Sequence, residues 1–213
     1  MRFSLISIVL SVVLVPGFAR AQDRAGEFDY YVLALSWTPN WCTREGDARG
    51  SAQCAADSGH GWTLHGLWPQ YDRGWPQNCQ TNKRPPSRTA SAEMADIMGS
   101  RTLGAYQGRK HGSCSGLGGD EYLSLSREAY DSIKRPEVLR QLDREVALPA
   151  SVIEEAFLKD NPRLKADMLT VTCRDGQIGE VRVCLSKALV PRFCGPDVIR
   201  DCSMEDALFS PLR

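Results

Sequence analysis

The sequence predicts an α+β fold in a single domain: a central antiparallel sheet with flanking helices, stapled by disulfides. Three observations predict it. Two β-rich runs, residues 168–173 and 178–185, meet through Asp175-Gly176, a dipeptide suited to a tight hairpin. Residues 120–134 and the stretch opened by Pro149-Ala150-Ser151 carry apolar residues at helical spacing and end at Pro136 and Asn161-Pro162. Eight cysteines, an even number, follow a start that reads as an export signal, which favours disulfides over free thiols. At 213 residues and 42% hydrophobic content the chain can bury one good core, and no repeat, low-complexity tract or linker divides it.

The elements follow in order. Arg2, a short apolar run and Ala19-Arg20-Ala21 predict a signal peptide over residues 1–21, leaving a domain of residues 22–213. A membrane anchor is the rival reading, but the run is short for a span. Loss of Arg2 and Arg20 leaves 24 basic against 26 acidic residues, a formal charge of −2. That balance argues against a broad electrostatic nucleic-acid coat and leaves room for a small basic cleft. Residues 28–37, aromatic and β-branched, predict a buried strand. From Trp41 to Pro86 the Gly, Pro, Cys and Trp content predicts loops and short strands. Residues 91–98 predict one short helix. The two longer helices and the hairpin come next, and from Pro191 the tail reads as a Cys- and Pro-bearing loop.

Chemistry has few sources. The histidines are His60, His65 and His111. His65 lies in Gly61-Trp62-Thr63-Leu64-His65-Gly66-Leu67-Trp68-Pro69, where aromatic neighbours can hold an imidazole beside a flat platform. His111 lies in Arg109-Lys110-His111-Gly112-Ser113-Cys114, where two cations adjoin the ring and disfavour its charged form. Two histidines and a lysine suffice to cleave a phosphodiester with a neighbouring hydroxyl: one takes a proton, one gives a proton, and the lysine stabilises the charge between them. Both histidines could equally be structural. Structural zinc lacks any CxxC pair, and no metal or cofactor is expected.

The segments WTLHGLWP and KHGSC resemble the two active-site segments of the ribonuclease T2 family, the secreted, base-nonspecific ribonucleases that include plant S-RNases. YYVLALSWTPNWC and the late TVTC, EVRVCLSK, FCG and DC extend the likeness over residues 28–202. The resemblance implies an endoribonuclease that forms 2′,3′-cyclic phosphate and 5′-hydroxyl ends on single-stranded RNA, the cyclic ends later hydrolysed to 3′-phosphates, and that needs no metal. His65 matches the residue that protonates the leaving oxygen, His111 the general base, Lys110 the phosphate-stabilising lysine, and Trp68 the tryptophan beside phosphate and base. DNA, lacking the 2′ hydroxyl, is excluded as a substrate. Family layout further implies the disulfides Cys79–Cys114, Cys173–Cys202 and Cys184–Cys194, with Cys42–Cys54 left by remainder.

One departure matters. The family's second segment has glutamate where this chain has Gln107, and an aromatic where it has Gly108. Gln107 cannot trade a proton but can donate a hydrogen bond to a phosphate oxygen. The expectation is a weakened enzyme in which Arg109 shares the electrostatic role; an RNA-binding relative without turnover is the alternative, and a phosphodiesterase of small cyclic nucleotides a second. Trp68, Gln70 and Tyr71 are the candidates to contact a base, with stacking that tolerates any sequence. Trp41, Trp62 and Trp75 read as structural, His60 as a turn residue, and Lys83, Arg84 and Arg88 as solvated surface. A monomer, periplasmic or secreted and free of the membrane after signal cleavage, completes the expectation; the absence of an Asn-x-Ser/Thr sequon favours the periplasm.

Overall fold

In the computed structural model, which describes residues 23–213, the first strand becomes an inner strand of the sheet; the expected leader lies outside these residues. β1 (Tyr30–Trp37) pairs antiparallel with β2 (Trp62–Gln70) on one side and β5 (Gln177–Leu185) on the other. β4 (Leu169–Arg174) also pairs with β5, and the sheet order is β2-β1-β5-β6-β3, with β3 at Val146–Leu148 and β6 at Ala207–Phe209. The β4–β5 hairpin turns at Asp175 and Gly176, whose φ angles of 52° and 81° are the left-handed pair that such a two-residue turn requires.

Strand alternation gives the sheet two different faces. Tyr31, Leu33, Leu35 and Trp37 of β1 join Val181, Val183 and Leu185 of β5 in the main core. Helices α5 (Gly119–Ser132) and α6 (Ala150–Asp160) cover that core with Tyr122, Leu123, Ile153 and Phe157. Tyr122 Oη donates to Leu67 O at 2.7 Å and Tyr130 Oη to Trp62 O at 2.9 Å, so α5 is tied to β2 at two points. On the opposite face Tyr30, Val32, Cys184 and Val198 form a small apolar cluster beside Trp68. Trp68, one of the side chains the sequence marks as a site candidate, lies on that second face.

Three differences from the sequence reading have physical reasons. Residues 41–86 are not only loops and short strands: β2 is nine residues long. Its alternation is broken in the sequence because His65 has no partner in the β1 ladder, Leu64 pairing with Leu35 and Gly66 with Ala34. The helix expected at 91–98 divides into α2 (Arg88–Glu93) and α3 (Ala95–Met98), and α1 (Thr38–Trp41) precedes them. α4 (Leu103–Lys110) is a helix that the sequence hides, since two glycines lower its helical propensity. Those glycines permit close packing: a Cβ on Gly104 would sit 3.2 Å from Ser91 Oγ, and one on Gly108 would run into the Pro86 ring. No helix among the described residues is long and apolar enough to cross a membrane.

Disulfides join Cys42–Cys54, Cys79–Cys114, Cys173–Cys202 and Cys184–Cys194. The Cys79–Cys114 bridge anchors the chain three residues beyond His111. The Cys184–Cys194 bridge holds the segment that carries Asp197 and Val198 against the second face.

Candidate active site

The irregularity in β2 determines where His65 points. Because His65 and Gly66 together oppose a single step of β1, the strand's face parity shifts by one, and His65 and Trp68 emerge on the same side although three residues apart. Their rings meet edge to face at 5.1 Å. Gly66 leaves space for the next contact. A Cβ there would collide with Trp68 Nε1 and Gln107 Oε1, atoms that are hydrogen-bonded at 3.0 Å.

α4 supplies the facing wall. A helical step of about 100° places Tyr106, Lys110, Gln107 and His111 within an arc of about 140°. All four line a cavity of 520 Å³ together with His65, Trp68, Gln70, Trp75 and Arg182. Trp68 stands between the histidines, its ring 5.4 Å from that of His111. Gln107 is buried, and with its carbonyl oxygen accepting the indole N–H, its amide N–H groups remain as donors. The Lys110 ammonium lies 5.8 Å from the Tyr106 ring centroid. His111 is 8% exposed, and its Nδ1 is sealed away without a partner. Burial first, then the charges of Lys110 and His65, push it down to about 3. The imidazole is therefore neutral at any ordinary pH.

His65 is held from the other side. Its Nδ1 lies 2.6 Å from Glu180 Oε1. Arg182 closes on the second carboxylate oxygen with Nε at 2.9 Å and Nη2 at 2.8 Å. Ser36 Oγ donates to Oε1 at 3.3 Å. Burial pushes the Glu180 carboxyl up, but the His65 hydrogen bond and charge, with Arg182, outweigh it and bring it to about 2. A second cavity of 640 Å³ shares His65, Trp68, Tyr106 and Arg182 with the first and adds Trp41, Arg44 and Glu180, so His65 stands between two openings.

The expected residues thus divide. His65, Trp68, Gln70, Gln107, Lys110 and His111 share one cavity. Arg109 does not: it lies outside the α4 arc and lines a separate 180 Å³ recess with Lys83 and Arg84. The helical turn of α4 is what separates Arg109 from its neighbours Gln107 and Lys110. Tyr71 is also absent from the cavity wall, its hydroxyl donating to Asp23 at 3.2 Å. Trp75, read as structural, is 54% exposed and forms part of the cavity wall; Trp62 is core, and Trp41 lines the second cavity. Glu180 and Arg182 join the site without a signal in the sequence that links them to it. Their alternation in EVRVC marks a strand face, but nothing local connects them with a histidine 115 residues away. Among the described residues no group of three or more His, Cys, Asp or Glu side chains is placed to hold a metal ion.

Fold and site together are those of a disulfide-stapled α+β protein with a two-histidine cleft on one sheet face. The chain belongs to the ribonuclease T2 family, whose model matches residues 28–194. A ribonuclease of Aeromonas hydrophila is 39% identical over 126 residues, 58% of this chain and 56% of that protein. Ribonuclease I of Escherichia coli is 26% identical over 212 residues, covering 78% of this chain and 79% of that one. Among solved structures, an RNase-related protein from Calystegia sepium shares the fold with a TM-score of 0.64 at 23% identity, covering 87% of this chain and 98% of that one. The chain spans about half the length of the first curated relatives it matches.

Proposed function

We propose that the protein is a metal-independent endoribonuclease acting on single-stranded RNA with little base specificity, in the periplasm or outside the cell, as a monomer. The observation that carries this reading is the placement of His65, His111 and Lys110 around one cavity with Trp68 between the two rings. His111, held neutral, accepts the 2′-hydroxyl proton; the 2′ oxygen forms its bond to phosphorus. The bond from phosphorus to the 5′ oxygen breaks as His65 gives that oxygen its proton. Lys110 and the Gln107 amide face the non-bridging oxygens, where charge accumulates. The products are a 2′,3′-cyclic phosphate and a 5′ hydroxyl, and water added later to the cyclic ester gives the 3′-phosphate. Openings on both sides of His65 leave room for a nucleotide on each side of the scissile bond. Family membership supports the same chemistry.

The test is an assay with EDTA on polymeric RNA and DNA from pH 4 to 8, with His65→Ala and His111→Ala beside the parent. RNA cleavage with cyclic phosphate ends, lost in both variants, is expected. Absence of cleavage by folded protein overturns the proposal and makes RNA binding the working function, the outcome that Gln107 in place of glutamate would explain.

A further inference from the structure

We propose that Glu180 is a positioning residue for the reaction: it holds the His65 ring through Nδ1 so that Nε2 presents the proton to the leaving 5′ oxygen. The inference rests on the assignment of His65 as general acid made above.

The contact is built by three strands. Glu180 pairs with Ser36 of β1, and Ser36 pairs in turn with Thr63 of β2, two residues before His65. His65 and Glu180 are therefore on strands separated by β1. They meet at 2.6 Å because the residue between them on that face is a serine, too short to obstruct them. The unpaired position of His65 in the ladder releases it from the regular pleat and lets it lean across. From β4, Thr172 Oγ1 accepts the Glu180 N–H at 3.1 Å, fixing the backbone under the carboxylate.

Every group facing the carboxylate has a distinct part. Arg182 occupies Oε2, leaving Oε1 for His65 and Ser36. Arg44, Arg49, Arg174 and Glu45 line the same cavity, and Glu45 is paired with all three arginines. A carboxylate this buried is costly unless its charge is answered, and here it is answered on both oxygens. An anion at Nδ1 requires N–H there, so the opposite nitrogen is the one left to work. If Arg182 were its sole purpose, the carboxylate would have no reason to place its other oxygen on a ring of the cleft.

The experiment separates positioning from structure by changing the leaving group. A 5′-nucleoside departs as an alkoxide and needs a proton, whereas 4-nitrophenolate departs without one. Glu180→Gln keeps the shape and removes the charge. Its kcat on uridylyl-(3′→5′)-adenosine should fall by about 10- to 100-fold. Its kcat on uridine 3′-(4-nitrophenyl phosphate) should fall less than about threefold, since the rest of the cleft is intact. His65→Ala is measured with both substrates as the reference. If His65→Ala itself loses both substrates equally, the general-acid assignment fails. If His65→Ala spares the aryl ester while Glu180→Gln loses both equally, or loses neither, the positioning role fails. Should Glu180→Gln not fold, nitrogen NMR of the His65 ring in the parent decides. A proton on Nδ1 in the neutral form supports the role, and one on Nε2 overturns it.

Discussion

Replacing His111 with Gln removes a histidine that burial holds neutral, and the consequence can be read in stability independently of turnover. The unfolded chain binds a proton at His111 with the ordinary value of 6.5, the folded protein only near 3. Well above pH 6.5 neither form is protonated, and the group leaves stability untouched. As pH falls from 6.5 towards 3, the unfolded chain takes up a proton that the folded one refuses, and stability is progressively lost. Between pH 7 and 4.5 the loss from this group is about 2.5 kcal/mol, and it saturates at about 4.8 kcal/mol below pH 3. His111→Gln cannot titrate, so it should lose about 2.5 kcal/mol less than the parent over that interval. Glu180, down at about 2 in the folded protein, loses its contribution as pH falls from 4.5 towards 2; that loss is common to both proteins and cancels. Urea unfolding of both proteins at pH 7 and 4.5, disulfides intact, gives the four free energies directly. Equal losses in parent and variant would refute the claim that the site keeps His111 neutral.

Gln107→Glu should raise kcat on RNA by roughly 30- to 1000-fold if the amide forfeits about 2–4 kcal/mol of stabilisation; an unchanged or lower kcat counts against the loss. Gly66→Ala forces a methyl group into the Trp68–Gln107 contact and should cost about 1–3 kcal/mol, seen as a lower melting temperature and altered tryptophan emission. A Cys79→Ser, Cys114→Ser double variant opens a link across 35 residues and should lose about 3–4 kcal/mol in urea unfolding, with RNA cleavage falling with it because the bridge anchors the His111 segment.

Much of the frame is legible in residue pattern alone. β1, β4 and β5 are runs of apolar and β-branched residues, and Asp175-Gly176 marks the turn between the last two. α5 and α6 show helical spacing and clear stops. What is not legible depends on contacts between distant residues. β2 looks irregular because one of its residues stands outside the ladder. α4 looks like a loop because Gly104 and Gly108 are chosen for the close approach of Ser91 and Pro86, not for helix propensity. The same hidden helix explains the cleft: its turn brings Gln107 and Lys110 inward and sends Arg109 elsewhere. The aromatic normally expected at position 108 would have no space, since Pro86 occupies it. Glu180 and Trp75 carry no local signal that ties them to the cleft, being defined by what they face after folding.

Remove His65 from the chain and Leu64 is followed by Gly66, the residues that already pair with Leu35 and Ala34 as neighbours. Trp62, Leu64 and Leu67 would then face the core in unbroken alternation, and the strand would be more regular than it is. His65 is thus an addition to a β1–β2 ladder that is complete without it. The pairing of β1 with β2 and the placement of the cleft imidazole rest on different residues of a single strand.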